Sequence, residues 1–303
     1  MMSGLSLDLL VPASFAILFL ALWGTAYAFI PWLIRNVRAV AGRLAAWLRG
    51  QAGFGAALGR LEVHRSYLPL VLALAIGTVL IAVAADVFLD VALALATHDA
   101  GVQRTDAAVY DWVRLHRTPL LNTAFIGITT GGGPVGMTAI VVVAAVVLTA
   151  RRRFRWAAYL AITAAGGALL NELLKDQFTR QRPDLNGAIF GADGYSFPSG
   201  HAMSGTVVLC AIGYLAARVM PTWKSKSAVF AALVTVDLAI AASRLYLGVH
   251  WTSDVVAGLA AGLLWVTATT SGYELFRQYR LREARERAPA AIPDAGSRPP
   301  VSS

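Results

Sequence analysis

Seven stretches of the chain are apolar over a length that suits a bilayer: residues 9–34, 68–96, 124–149, 156–174, 201–220, 227–243 and 254–274. A helix rises 1.5 Å per residue, so crossing a hydrocarbon core of about 30 Å takes roughly 20 apolar residues. The pattern predicts an all-α, polytopic membrane helical bundle. Between the spans the polar residues alternate in kind. Residues 35–66 carry Arg35, Arg38, Arg43, Arg49, Arg60 and Arg65; "RRRFR" fills 151–155; "WKSK" fills 223–226; Arg277, Arg280, Arg282, Arg285 and Arg287 follow the last span. Every second connection is therefore strongly basic, which by the positive-inside rule makes these four cytoplasmic. The segments near 97–121, 175–200 and 244–253 then face outward, although the first still holds Arg104, Arg114 and Arg117.

Smaller patterns refine this picture. "RNVRAVAGRLAAWLR" (35–49) spaces Val37, Val40, Ala41, Leu44 and Leu48 at helical intervals, which fits either an interfacial helix on an anionic leaflet or a basic loop. "DAAVYDWVRLH" (106–116) reads as an outer surface helix, and "TTGGGPVG" (129–136) as a bent or late-starting helix near the outer surface. A phosphate-binding loop is excluded there, because no Gly-Lys-Ser/Thr follows and no strand precedes. The tail after about 287, "APAAIPDAGSRPPVSS", is rich in proline and serine without apolar periodicity and reads as disordered.

Composition agrees with membrane residence: of 303 residues, 57 % are hydrophobic and 14 % charged, against about 25 % charged in an ordinary soluble domain. The net charge of +9 lies in the short connections and not on one face of a soluble domain, so nucleic-acid binding is not expected. The single cysteine, Cys210, lies within an apolar run and offers neither a disulfide nor a cysteine metal site. The first run has a small-x-small cue at Ala26-Tyr27-Ala28, but no Lys or Arg precedes it and its apolar character continues through Ile34. A retained helix with its N-terminus outside is the expectation.

The outward segments break the charge rule in a concentrated way. "KDQFTRQRP" (175–183), "PSGH" (198–201) and "SRLYLGVHWTSD" (243–254) each lie at the outer boundary of an expected helix. Charges at membrane depth are costly and mark functional sites by default. Lys175 and Arg182 supply positive charge, and Arg244 offers a planar fork for phosphoryl oxygens. Pro183 biases Arg182 away from helical geometry, onto the loop. Ser199 and Gly200 fall where a loop becomes a helix, whose first N–H groups bind anions; Gly200 admits close approach and Ser199 adds a hydroxyl. His250 and Asp254 are spaced i, i+4, so a carboxylate can orient the imidazole and free its other nitrogen as a nucleophile. His201 is then available to protonate a leaving oxygen and to activate water.

These residues make up Lys-x6-Arg-Pro (Lys175, Arg182, Pro183), Pro-Ser-Gly-His (Pro198, Ser199, Gly200, His201) and Ser-Arg-x5-His-x3-Asp (Ser243, Arg244, His250, Asp254). The set resembles the signature of the type 2 phosphatidic acid phosphatase superfamily, which includes membrane lipid phosphatases and is related in its site to vanadium haloperoxidases. The resemblance implies a six-helix phosphatase core, 67–276, with its site at the outer face of the cell membrane. His250 would be the nucleophile that becomes phosphohistidine, Asp254 its partner and His201 the general acid. Lys175, Arg182, Ser199, Gly200 and Arg244 would bind phosphate with no metal and no cofactor. The extra N-terminal transmembrane helix and basic segment, 1–66, add to this core, and a basic and then disordered cytoplasmic tail, 277–303, follows it. The expected activity is hydrolysis of lipid phosphates or diphosphates of the undecaprenyl diphosphate, phosphatidylglycerophosphate or phosphatidate class. Two alternatives stand beside it: a phosphotransferase using the same phosphohistidine, and a non-catalytic binder or transporter of anionic lipid. Oligomeric state has no signal in the sequence.

Overall fold

The structure is a computed structural model and describes residues 2–49, 68–183 and 188–287. Among these residues the regular secondary structure is all helix, with no strand. The elements are α1 (Met2–Arg49), α2 (Leu68–Ala96), α3 (Ala100–Leu115), α4 (Pro119–Gly132), α5 (Pro134–Ala150), α6 (Phe154–Phe178), α7 (Gly200–Val219), α8 (Trp223–Tyr246) and α9 (Thr252–Glu286). Six helices are long and apolar enough to cross a membrane, and the bent pair α4–α5 makes up to seven.

Several helix ends follow from local chemistry. Asp99 caps α3, its carboxylate accepting from the N–H groups of Gly101 and Val102, and Thr118 caps α4 with Pro119 in the first turn. The 124–149 run is broken at Gly133, where the axis turns by 50°. Pro134 cannot continue the hydrogen-bond ladder of α4, so it starts α5 instead. The basic 35–49 stretch is no separate element; α1 continues through it. Likewise α9 runs past the bilayer-length segment, with Arg280 paired to Glu283 and Arg282 to Glu286 on its surface. Residues 50–67 and those after 287 lie outside the described set, as does the tail expected to be disordered.

The core is built around α7, which packs against α6, α8 and α9. Here lipid gives no hydrophobic drive for helices to associate, so close approach matters more. The α7–α9 contact depends on Gly258 and Gly262. A Cβ on Gly258 would lie 2.6 Å from the Ser199 carbonyl oxygen, and one on Gly262 would lie 2.8 Å from that of Met203. We therefore expect Gly262→Val to destabilise the bundle by about 1–3 kcal/mol, the usual cost of overpacking. It should appear as a lower midpoint of thermal unfolding in detergent. An unchanged midpoint would show that the helices separate at no cost.

This packing brings the last turn of α6, the first of α7, the last of α8 and the first of α9 to one end of the bundle. The twenty residue steps from Arg155 to Lys175 rise about 30 Å along α6. The arginine-rich connection at 151–155 is thus at the other end. α3 lies over the first end with Asp106 and Val113 buried beneath it.

Candidate active site

Six of the expected residues, Lys175, Arg182, Gly200, His201, Arg244 and His250, line one cavity of about 640 Å³. Ser199 and Asp254 sit just behind its wall, both completely buried, and the Ser199 N–H donates to the Asp254 carbonyl at 2.9 Å. The three sequence segments therefore converge at one point, because each occupies a helix end at the same level of the bundle.

Thr179 ends α6 in a left-handed conformation, φ 42°, and its N–H returns to the Lys175 carbonyl. The turn sends the following chain back across the bundle, carrying Arg180 and Arg182 inward. Lys175 stays on the last turn of α6, 3.1 Å from Glu172. Ser199 and Gly200 start α7, where the Ser199 Oγ makes no capping bond and has no protein partner among the described residues. A Cβ on Gly200 would meet Asn171 Oδ1 at 2.9 Å, so the helix N-terminus approaches α6 as only glycine allows. Arg244 is buried at the end of α8. Its Nη1 donates to Thr129 Oγ1 at 2.5 Å, its guanidinium lies 5.7 Å from the Phe190 ring centre, and its Nε has no protein partner among the described residues. His201 points toward the break between α4 and α5, where a Cβ on Gly133 would stand 3.0 Å from its Nε2.

His250 sits in the short connection between α8 and α9, with Gly248 (φ 76°) making the turn that precedes it. Its Nε2 lies 3.1 Å from Arg182 Nη1. A guanidinium has no acceptor, so an Arg182 N–H in this contact meets a lone pair on Nε2, and the ring proton belongs to Nδ1. Nδ1 lies 3.4 Å from Asp254 Oδ2, close but not aligned as a formed hydrogen bond. The Asp254 oxygens are meanwhile engaged elsewhere: Oδ2 accepts from the Trp251 N–H at 2.9 Å and Oδ1 from Arg180 Nη1 at 2.6 Å. Burial holds the His250 imidazole well below its usual range, at about 4; Asp254 pulls it up, and Arg182 and Arg244 push it further down. At neutral pH the ring is neutral and carries a nucleophilic nitrogen.

Arg182 is used more fully than the sequence indicates. Besides touching His250, it donates to the carbonyls of Asp193, Gly194, Tyr195 and Val249 at 2.7–3.1 Å. It therefore fastens the 188–195 loop over the cavity. The other end of the cavity is apolar: Met137, Val141, Ala161, Ala164, Ala165 and Ala168 line it from α5 and α6. Among the described residues, no group of three or more His, Cys, Asp or Glu is placed to hold a metal ion.

Sequence reasoning missed Asp106, Thr129, Asn171 and Arg180. Arg180 lies inside the first motif and shares its charge, which was the available signal. The other three are single polar residues in helices, and their sequence carries no mark of burial.

Comparison with known proteins gives a consistent result. A model of the PAP2 superfamily matches residues 155–277. The chain is 32 % identical over 191 residues to phosphatidylglycerophosphatase B of Bacillus subtilis, a match covering 62 % of this chain and 93 % of that protein. It is 33 % identical over 119 residues to decaprenylphosphoryl-5-phosphoribose phosphatase of Mycobacterium tuberculosis, covering 37 % of this chain and 58 % of that one. The crystal structure of a transmembrane PAP2-type phosphatidylglycerolphosphate phosphatase from Bacillus subtilis superposes with a TM-score of 0.60 at 28 % identity, over 65 % of this chain and 98 % of that one.

Proposed function

Since the chain belongs to the PAP2 superfamily and is a multi-pass membrane phosphatase, we propose that it hydrolyses lipid phosphates or diphosphates at the outer face of the cell membrane through a phosphohistidine. One observation carries this reading. A single cavity is cationic at the end that holds His201 and His250 and apolar where it runs between α5 and α6. A phosphorylated headgroup fits the first part and a hydrocarbon tail the second.

In this scheme the phosphoryl oxygens are held by Lys175, Arg244 Nε, Ser199 Oγ and the first N–H groups of α7. Arg182 lies within reach of the same oxygens, because its Nη1 already occupies the lone pair of Nε2 and an incoming phosphoryl group takes that position. His250 Nε2 attacks phosphorus and displaces the lipid oxygen. As the imidazole becomes cationic, Asp254 stabilises the Nδ1 proton, and the 3.4 Å separation can tighten at that stage. His201 delivers a proton to the leaving oxygen. It then removes one from the water that attacks the N–P bond, which returns a neutral His250 and releases inorganic phosphate.

The orientation is supported by charge. The cavity lies at the end opposite the basic residues of 151–155, 223–226 and 277–287, so a cytoplasmic C-terminus would put it outside, in bacteria at the periplasmic face of the inner membrane. Residues 67–276 form the phosphatase core in this reading, with 1–66 an added membrane unit and 277–303 a tail. Substrates of the undecaprenyl diphosphate, phosphatidylglycerophosphate and phosphatidate class all meet the cavity's two requirements, and we favour broad use that includes undecaprenyl diphosphate.

The purified protein, assayed with these three lipids in the presence of EDTA, is expected to release inorganic phosphate from at least one of them. Appearance of the phosphoryl group on a lipid or sugar acceptor, with no free phosphate, would make it a phosphotransferase. Tight lipid binding without either product would overturn the catalytic reading.

A further inference from the structure

Asp106 belongs to α3, which the sequence describes as a surface helix, yet it is only 3 % exposed. Its Oδ1 accepts from the Ser253 N–H at 2.9 Å, and its Oδ2 accepts from Ser253 Oγ at 2.5 Å and from Arg180 Nη2 at 2.7 Å. Ser253 lies in the first turn of α9, where N–H groups have no partner within the helix. Asp106 therefore caps α9 from a different helix. Arg180 completes the connection, giving Nη1 to Asp254 Oδ1 at 2.6 Å and to Ser253 Oγ at 2.7 Å, above the Trp251 ring. Neither Asp106 nor Arg180 lines the cavity. Although Arg180 shares a motif with Lys175 and Arg182, it faces away from the phosphate position.

A completely buried carboxylate needs a compensating positive charge, and a histidine beside it can supply one by taking up a second proton. With Nδ1 already protonated, that second proton would go to Nε2 and take the lone pair that attacks phosphorus. We propose that Asp106 and Arg180 form a positioning relay which compensates the Asp254 charge, fixes the direction of its carboxylate and so keeps His250 unprotonated in the resting enzyme. The proposal rests on the reading of His250 as the nucleophile. The other charged or titratable groups facing the His250–Asp254 pair are Lys175 from α6, Arg182 from the loop, His201 from α7 and Arg244 from α8; unlike Arg180, none of these four donates to the Asp254 carboxylate among the described contacts.

The test is the acid limb of kcat/KM for the full-length enzyme, measured with one short-chain phosphatidate so that titration of the substrate is common to all variants. Arg180→Gln leaves the Asp254 charge to act on the imidazole alone. The acid limb is expected to rise by about one pH unit. At neutral pH kcat should fall about 10- to 100-fold with little change in KM, which is the worth of one charge-assisted hydrogen bond. Arg180→Lys should restore the position of the limb. Asp106→Asn removes a negative charge from Arg180 and should move the limb the other way. A merely structural role would give losses with no such opposition of sign. The proposal is overturned by an unmoved limb in Arg180→Gln, by failure of lysine to restore it, or by a loss confined to KM. Should Arg180→Gln fail to fold, Asp106→Asn decides alone, and an upward shift or none there overturns the relay. Rapid-quench labelling with ³²P-substrate, of the wild type and of His201→Ala in which hydrolysis of the intermediate is slowed, separates the two levels. Without a phosphoenzyme the His250 reading fails; with one, an unmoved limb sinks only the relay.

Discussion

Replacing His250 by alanine is expected to abolish turnover of every lipid phosphate while leaving the protein able to bind them. Nε2 of His250 faces the cationic end of the cavity, and because a guanidinium only donates, the Arg182 Nη1 contact assigns a lone pair to this nitrogen. No neighbouring group can replace it. His201 is on the other side of the pocket toward Gly133, and Asp254 is fully buried behind His250 with both oxygens engaged. Lys175, Ser199 and Arg244 remain, so affinity for a lipid phosphate or vanadate should stay within a few-fold of wild type. The rate should fall by at least ~10⁴-fold, since a nucleophile and the groups that serve it act as a unit. For the same reason His250→Ala/Asp254→Ala should be scarcely slower than His250→Ala alone. Steady-state phosphate release and calorimetric binding measure the two properties separately. Acid-quenched protein should carry no labelled phosphate on nitrogen. A variant that still accumulates label would require another nucleophile and would overturn the assignment.

How far the sequence predicted this site depended on whether a residue's role is set by its own helix or by a neighbour. The seven apolar runs were readable because a bilayer demands length and hydrophobicity from each segment separately. The His250–Asp254 relation was readable for a similar reason, since it lies within one short stretch at the start of α9. The convergence of the three motifs also followed, as helices of similar length place their ends at two levels only. By contrast, Asp106 sits on an amphipathic helix among other polar residues, where a single aspartate normally faces water. Only the packing of α3 onto the first turn of α9 makes it a cap. Arg182 shows the opposite limit. Its charge was legible, but the carbonyls of Asp193, Gly194 and Tyr195 that hold it come from a loop with no recognisable pattern. Likewise the continuation of α1 through 35–49 was hidden, because arginines spaced among valine, alanine and leucine suit a separate surface helix and a continued one equally well.

His201 should be needed in proportion to how poorly the substrate's leaving group departs. It lines the cavity from the first turn of α7, and Gly133 leaves room for its ring at the break between α4 and α5. It is thus held apart from His250, on the side from which a leaving oxygen can take a proton. A lipid alkoxide is a strong base and departs only when protonated, so a monophosphate ester depends on an acid. In a lipid diphosphate the leaving oxygen belongs to a phosphate, which already bears its charge well. His201→Ala should therefore slow formation of the phosphoenzyme from phosphatidate by the ~10²–10⁴-fold that general acid catalysis is worth. The same step from undecaprenyl diphosphate should suffer much less. Hydrolysis of phosphohistidine needs a base whatever the first substrate was, so the contrast would vanish in steady-state rates limited by that second step. Rapid quench with labelled substrates isolates the first. Label should then build up on His201→Ala with the diphosphate, because the intermediate forms but is slowly hydrolysed, and should appear only sluggishly with the monophosphate. Equal slowing of the labelling step for both substrates would show that His201 does not protonate the leaving group, and its place beside the cavity would then have to be explained by water activation alone.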